Sequence, residues 1–385
     1  MSPRHISAEE RRARLGIRQL LAPGLRASAP EAVAEALVAL HGSDPASVFL
    51  SVAARTDGVD STAVESALYQ RRSLVRMHGM RRTVFVIPAD LVPVVQASST
   101  AAVARTERKG LVSFVTAQGF GEKELAAAEA AVLAVLADGP ATGVELSTAL
   151  PELRREFVYG AGKAYEAKQT LGMRLVPLLA MEGRIVRGRP RGSWTSGRFS
   201  WELAAQPADI TREHAQEELV RRWLAAYGPG TEADLKWWTG WPLGQVRKAL
   251  AAVGAEAVTV DEGPGFVLPG DVAEVPAPRP WAALLPALDP APMGRQARDW
   301  FLDPDDRAAM FDRSGNIGAS VWWAGQIIGA WVQRPDGEIT IHHLRDAGAE
   351  ARAAVDAEAG RLAAWLGDIR VTPRFRTPTE RDLVR

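Results

Sequence analysis

The chain has 385 residues, about two to three times the usual length of a domain, so we expect several domains. Hydrophobic residues make up 47% and charged residues 24%, which are ordinary globular values and exclude a disordered or collagen-like chain. No apolar run reaches about 18 residues, and the arginine-rich start lacks the apolar stretch of a signal peptide, so no membrane span is predicted. Cysteine is absent, which excludes disulfides and thiolate metal sites and suits a reducing cytoplasm.

Positive charge is concentrated in two parts of the chain, although the net charge is zero. Residues 1–112 carry 15 basic and 10 acidic groups, and residues 151–200 carry 10 and 4, so the surpluses are five and six. Local positive charge attracts phosphates whatever the total, because salt screens charges more than about 10 Å away. The distribution therefore favours a nucleic acid as partner. The excess of 40 arginines over 6 lysines is explained equally well by GC-rich codons.

The first hundred residues have the element order of a winged helix. Apolar spacing predicts helices over Glu9–Leu21 and from Pro30 to about His41. Asp44 and the proline after it predict that a new helix starts there, because aspartate is a good N-cap and proline is tolerated at the first helical position. A helix over Thr62–Arg71 and an apolar strand over Val84–Ile87 follow, which completes the pattern.

The same order of elements is predicted twice more along the chain. The second unit has predicted helices and then a two-stranded wing over residues 184–201; the helices are Lys123–Leu136, Gly143–Leu150 and Ala164–Glu182. The third unit has predicted helices and a hairpin over residues 258–268; the helices are Arg212–Tyr227, one that Thr231 caps, and Leu243–Val253. A β-meander over residues 321–341 and a helix over Glu350–Leu366 complete the chain.

We therefore predict an α+β fold made of tandem winged-helix (helix-turn-helix) domains, followed by a C-terminal antiparallel β region with a terminal helix. The predicted boundaries give a first winged-helix domain at 1–115, a second at 116–208, a third at 209–277, and a C-terminal β-rich domain at 278–385.

The predicted wing of the second unit carries the strongest sign of DNA binding. Five arginines lie within fifteen residues, without an acidic residue among them, and Trp194 lies between them: Arg184, Arg187, Arg189, Arg191 and Arg198. A β-ribbon of this kind can contact phosphates in a groove, and an apolar ring at its tip can wedge between bases. The alternative is a solvated hairpin whose charges face water. Arg81 and Arg82, beside the first predicted strand, are candidate DNA contacts too, although helix C-terminal cations such as those at 71–72 are expected there in any case.

The segment LHGSDP, from Leu40 to Pro45, holds the candidate chemistry. His41, Ser43 and Asp44 are three polar groups at a junction between two apolar helices. An imidazole with a carboxylate nearby can hold and deprotonate a water molecule. Capping alone also explains Asp44, and Ser43 could share that work, whereas His41 has no such structural reason. From the residues alone, catalysis and capping both remain open.

Several motifs together resemble the AlkZ/YcaQ-like winged-helix DNA glycosylases. Family members show a pattern such as L-x-G-L-Q-x-Q-x-P followed by an apolar helix ending in W-A-R, and Leu40–Pro45 and Ala53–Arg55 fall on it in register. Further matches occur in order along nearly the whole chain, at Leu74–Arg76, Met80–Val86, Glu182–Gly188, Leu284–Pro290, Phe311–Arg313 and Gly325–Trp331. The family's Q-x-Q or Q-x-D is His41-Gly42-Ser43 here, with Asp44 directly after it, so neither amide is kept.

The resemblance implies a cofactor-free, metal-free monofunctional DNA glycosylase. It would hydrolyse the N-glycosidic bond of purines alkylated at N7 or N3, bulky adducts included, in a base-excision repair or self-resistance role. The implied partner is double-stranded DNA that carries alkylated purines, and we expect a monomer. The implied catalytic residues are His41, Ser43 and Asp44, with Asp44 facing the cationic sugar and His41 orienting the water.

Two alternatives remain at this point. One is a winged-helix DNA-binding or regulatory protein without catalysis, which the missing glutamines favour. The other is a protein that uses its winged units for protein contacts; its binding would not weaken as salt rises, unlike binding to phosphates.

Overall fold

The structure, a computed structural model, describes residues 3–383 and has an α+β fold with antiparallel sheets. The chain begins with helix α1 (Ala8–Arg18), which Ser7 caps. Among the described residues, no helix is both long enough and apolar enough to cross a membrane.

The first repeated unit places a three-stranded sheet behind three helices. Its elements, in chain order, are α2 (Pro30–Leu37), β1 (Leu40–His41), α3 (Pro45–Ala53), α4 (Ser61–Glu65), β2 (Leu74–His78) and β3 (Val84–Pro88). The strand order is β1-β3-β2. The predicted start of a helix after Asp44 is confirmed, because its side chain caps α3. The helix predicted to reach His41 ends at Leu37 instead, and the chain then enters β1, which pairs with β3.

A long helical segment then leads into the second unit. It consists of α5 (Val92–Val95), a π-helical turn over Gln96–Thr100, and α6 (Ala101–Thr116). The second unit contains α7 (Glu122–Ala137), β4 (Ala141–Thr142), α8 (Gly143–Ala149), β5 (Glu156–Tyr159), β6 (Ala167–Thr170), α9 (Leu171–Met181), β7 (Ile185–Pro190) and β8 (Phe199–Leu203). Its main sheet has the order β4-β8-β7, which repeats the topology of the first.

The helix predicted over Ala164–Glu182 is wrong in its first half. Residues Ala167–Thr170 form β6, which pairs with β5 in a hairpin. The helix starts at Leu171 because the Thr170 hydroxyl accepts a hydrogen bond from the Met173 backbone N–H and acts as its N-cap.

The third unit repeats the helices and the hairpin. It contains α10 (Arg212–Tyr227), α11 (Glu232–Thr239), α12 (Leu243–Val253), β9 (Glu256–Val260) and β10 (Gly263–Val267). Gly230 pairs with Phe266 at the position where the other units have their first strand. Trp238 and Trp241 are buried and belong to the core of this unit.

The C-terminal region is a four-stranded antiparallel sheet covered by a helix. It contains β11 (Ala282–Leu285), α13 (Pro290–Met293), α14 (Arg307–Met310), β12 (Ser320–Trp323), β13 (Gln326–Gln333), β14 (Ile339–His343), α15 (Gly348–Leu366) and α16 (Pro378–Leu383). The predicted meander and the long helix are therefore present, and β11 adds an edge strand that the sequence did not predict.

Hydrophobic cores join the first unit to the third unit and to the C-terminal region. One core combines α2, α3 and β3 with β11, β12 and α15, and another combines β2 and β3 with α10, α11 and α12. The second unit has a core of its own, built from α6 to β7. The predicted boundaries of the four domains stay predictions, and the core residues of the first unit pack against those of the third unit and of the C-terminal region.

A buried ion pair fixes the first unit to the C-terminal region. Arg55, at the end of α3, and Asp289, just before α13, are both fully buried and are joined by two hydrogen bonds of 2.7 and 2.8 Å. Asp289 also accepts from the Ser51 hydroxyl and from the Ala291 backbone N–H. Every oxygen of the carboxylate therefore has a partner, as a buried charge requires.

We expect Arg55→Met to lower the free energy of unfolding by about 3–5 kcal/mol, because it leaves the Asp289 carboxylate buried without its counter-charge. Denaturation in urea measures the loss. Arg352→Met is the matched control, since Arg352 pairs with Asp346 in solvent and should leave the midpoint unchanged. Equal effects of the two substitutions would show that the buried pair does not fix the fold.

Candidate active site

The candidate site is the turn between β1 and α3, which we call the motif turn and define as residues 41–44. It is held against the first sheet: the Gly42 N–H donates to the Val84 carbonyl at 2.8 Å. A Cβ at position 42 would lie 3.2 Å from that same oxygen, so a larger residue would require the turn or β3 to shift by a few tenths of an ångström. The glycine therefore allows the close approach of the turn to β3.

His41 is a neutral imidazole with an unused nitrogen. Burial, and then the positive charge of Arg81, lower its pKa to about 4, so the ring is uncharged at neutral pH. Its Nδ1 is buried and has no hydrogen-bond partner among residues 3–383. The ring packs edge-on against Phe85, its cross-strand neighbour. A buried polar atom without a partner is uncommon and marks a place where water or a ligand can bind.

Asp44 is committed to the backbone. One carboxylate oxygen accepts from the Ala46 N–H at 3.0 Å and the other from the Arg374 N–H at 2.8 Å. The side chain is buried, and the cavity beside it holds only about 20 Å³. Capping of α3 therefore accounts for one oxygen of Asp44, and the backbone of Arg374 occupies the other. Ser43 is half-buried, and its carbonyl accepts a 3.4 Å hydrogen bond from the Arg374 side chain.

Arg76, on β2, supports the motif turn from behind. Its guanidinium donates to the Gly42 carbonyl at 3.1 Å and is 1% exposed. Among residues 3–383, Nε and the second terminal nitrogen of Arg76 make no geometric hydrogen bond, although Tyr69 and the Asp44 carboxylate lie near enough to interact with its charge. The guanidinium lies over the ring of Phe199 from β8, 4.8 Å from its centre. An aromatic face thus covers this buried cation, which has no ion-pair partner among those residues.

Four arginines around the motif turn lack an ion-pair partner among residues 3–383: Arg76, Arg81, Arg187 and Arg374. Burial, and then the charges of Arg76 and Arg374, lower the pKa of Arg187 to about 10, which shows that the three lie close together. Arg81 stacks on Trp237, with 4.1 Å from its guanidinium carbon to the ring centre. We call these four residues the unpaired arginine cluster. Its uncompensated charge makes the surroundings of the turn strongly positive.

Most of the arginines predicted to bind DNA are neutralised by acidic neighbours. Arg184 pairs with Glu129, Arg189 with Glu65, Arg191 with Glu145 and Arg82 with Glu107. Arg198 is exposed and has no ion pair among the described residues, while Arg187 and Arg81 belong to the unpaired arginine cluster. The sequence predicted a one-sided positive wing, but its acidic partners come from other elements and could not be seen there.

The prediction that Trp194 lies exposed at the tip of the wing is wrong. Its side chain is 5% exposed and stacks on Phe49 of α3, with 4.6 Å between ring centres. It also packs against Trp365 of α15. Burial of a large ring stabilises more than exposure to water, so the loop between β7 and β8 turns inward and joins the core of the first unit. Trp194 therefore presents no ring for wedging into a base stack.

Two functional candidates were missed from the sequence. Arg374 lies some 330 residues from the motif turn, and no local pattern connects the two. Arg76 was not among the residues predicted to bind DNA or to act in catalysis. Its burial follows from strand alternation in β2, where Leu74, Arg76 and His78 share a face, but the sequence gives no reason to expect a cation on that face.

Comparisons with known proteins bear on the fold and the family. The family of AlkZ-like DNA glycosylases matches residues 34–365. Among solved structures, the chain is similar to the DNA glycosylase AlkZ of Streptomyces sahachiroi, with a TM-score of 0.74, 22% sequence identity, and coverage of 97% of this chain and 100% of the other. No curated protein matches the chain. The motif turn and the arginines around it lie within or beside the matched span, and the chain belongs to the AlkZ-like DNA glycosylase family.

Proposed function

We propose that this DNA glycosylase is monofunctional and removes purines alkylated at N7 or N3 from duplex DNA, in base-excision repair or self-resistance. The observation that carries the proposal is a neutral His41 with a free buried nitrogen, set in a turn that unpaired arginines surround. We interpret the three repeated units as winged helices, since each has the same order of helices followed by a hairpin.

The chemistry requires little of the protein. An alkylated purine is already cationic, so the N-glycosidic bond breaks with its electron pair moving to the base, which leaves as a neutral molecule. The sugar becomes an oxocarbenium-like cation, and a water oxygen bonds to its C1′. In this proposal the water's proton passes to Nδ1 of the neutral His41 ring, which also orients the water.

Asp44 takes a positioning role in this proposal. Its carboxylate caps α3 and holds the backbone of Arg374, so it fixes the C-terminal segment against the motif turn. The cations described around the turn are arginines, whose guanidinium groups do not form Schiff bases. This supports a hydrolytic, monofunctional reaction that leaves an abasic site.

We expect His41→Ala to slow base excision by about 100-fold or more, because the water loses its acceptor. The measurement is strand scission by hot alkali after single-turnover incubation with a duplex that carries N7-methylguanine or N3-methyladenine. His214→Ala is the matched control, since His214 is exposed on α10.

Retained DNA binding without scission by the unsubstituted protein would favour the alternative of a non-catalytic DNA-binding protein.

Asp44→Asn keeps a good N-cap and tests the positioning role of the Asp44 carboxylate. Loss of activity with an unchanged unfolding midpoint would instead give the Asp44 charge a direct part in catalysis.

The pH dependence follows from the low pKa of His41. The neutral ring is the active form, so kcat/KM should stay level from about pH 8 to 5.5 and fall to half near pH 4, instead of near 6.5 as for an ordinary histidine. Arg81→Gln removes a nearby positive charge and should move this midpoint upward.

Stability must be followed in the same experiment. Because the folded-state pKa of His41 lies below its unfolded value, stability is complete above about pH 6.5 and declines as the pH falls towards 4. Circular dichroism at each pH distinguishes protonation of the folded protein from unfolding. A midpoint near 6.5 in the folded protein would contradict the proposed state of His41.

DNA affinity should depend on the unpaired arginine cluster more than on the paired wing arginines. We expect Arg374→Ala to weaken binding to undamaged duplex. The slope of the logarithm of the binding constant against the logarithm of the salt concentration should become shallower by about one, the value for one phosphate contact. Arg191→Ala should change both less, because its charge is compensated by Glu145. Fluorescence anisotropy with a labelled duplex at several salt concentrations measures both quantities. A larger effect of Arg191→Ala would return the DNA contact to the wing.

A further inference from the structure

A cavity of about 350 Å³ separates the first unit from the β7–β8 hairpin of the second. Most of its wall is aliphatic and comes from β2, the start of α5, β7 and the segment at residues 204–208; typical members are Leu74, Val75, Val92, Ile185, Val186 and Ala204. Pockets that enclose small organic ligands have volumes of about 300–1,000 Å³ and mainly apolar walls. The size and lining of this cavity fall in that class.

One part of the wall is cationic. Arg76 and Arg187 both line the cavity, and both lie over the Phe199 ring, at 4.8 and 5.0 Å from its centre. Among residues 3–383, Nε of each guanidinium makes no geometric hydrogen bond, and neither does a terminal nitrogen of Arg76, which interacts electrostatically with Tyr69 and Asp44. No carboxylate of residues 3–383 forms an ion pair with either of them. Arg72, at the same cavity, is by contrast paired with Glu202.

Two like charges in one wall, neither of which has an ion-pair partner among residues 3–383, are costly unless an anion joins them. We propose that this cavity is a binding site for a small organic anion, an aromatic or aliphatic body of about twenty non-hydrogen atoms that carries a sulfonate, carboxylate or phosphate. The aliphatic walls take the body, and Arg76 and Arg187 take the charged end through charge-assisted hydrogen bonds.

The site is linked to the motif turn through one side chain. Arg76 lines the cavity and donates to the Gly42 carbonyl, so a single guanidinium contacts both. A ligand that binds Arg76 therefore competes with the hydrogen bond from Arg76 to the Gly42 carbonyl. Because such coupling is reciprocal, the state of the motif turn changes the affinity for the ligand by the same factor. The binding itself does not depend on whether the protein excises bases.

Two matched dyes test the proposal. 8-Anilinonaphthalene-1-sulfonate and N-phenyl-1-naphthylamine share one aromatic body, and the first alone carries a sulfonate. We expect the sulfonate dye to bind the full-length protein at one site per chain, at least about tenfold more tightly than the neutral dye. Fluorescence titration and isothermal calorimetry give the affinities and the stoichiometry.

Three kinds of variant locate the site. Arg187→Met should lower the affinity for the sulfonate dye about tenfold and leave the neutral dye unaffected. Ala204→Trp and Val75→Trp change lining residues from the second and the first unit, and each should fill the cavity and weaken both dyes. Arg374→Met is the control, because Arg374 is unpaired but does not line the cavity.

Each other outcome overturns a stated part of the proposal. Equal affinity for the two dyes would remove the anion preference. Unchanged affinities in both tryptophan variants, with circular dichroism confirming their fold, would remove the site. A loss of binding in Arg374→Met as large as in Arg187→Met would place the dye on the surface around the motif turn, outside the cavity.

Discussion

Burial of arginine beside aromatic rings, without a carboxylate, is the interaction on which the site depends. Arg76 donates to the Gly42 carbonyl while its guanidinium lies over Phe199, and Arg187 lies over the same ring. Arg81 and Arg298 likewise share Trp237, and Arg295 lies over Trp300. A carboxylate would hold these cations as well, but it would also cancel the charge that phosphates meet. Aromatic faces stabilise arginine while leaving that charge available.

The β7–β8 hairpin makes the site composite. A wing that projected into solvent would leave the motif turn to the first unit alone. Here Trp194 enters the core between α3 and α15, and the hairpin brings Arg187 and Phe199 to the back of the turn. The C-terminal segment closes the other side through Arg374, whose N–H reaches Asp44. The surroundings of the motif turn are therefore built by the first unit, the β7–β8 hairpin and the C-terminal segment together.

Local signals in the sequence were sufficient for most of the elements. Caps and periodicity placed α3, α10, α12 and the meander, because each is determined by residues within a few positions of one another. The turn at His41 was found in the same way. What failed depended on distant partners: the hairpin partner of Ala167–Thr170, the acidic neighbours of the wing arginines, and the core that receives Trp194. Charge counted along a chain does not show which charges meet in space.

The replacement of glutamine by histidine in the family pattern follows from the same electrostatics. A glutamine amide offers one donor group and one acceptor and does not titrate. An ordinary histidine, whose pKa is about 6.5, would be partly charged near neutral pH, and protonation would remove its hydrogen-bond acceptor. Burial and Arg81 lower the pKa of His41 to about 4, so the ring stays neutral and keeps a donor and an acceptor throughout the physiological range. His41 thus retains the donor and acceptor pair that the amide of the family pattern offers, mainly because the ring is buried.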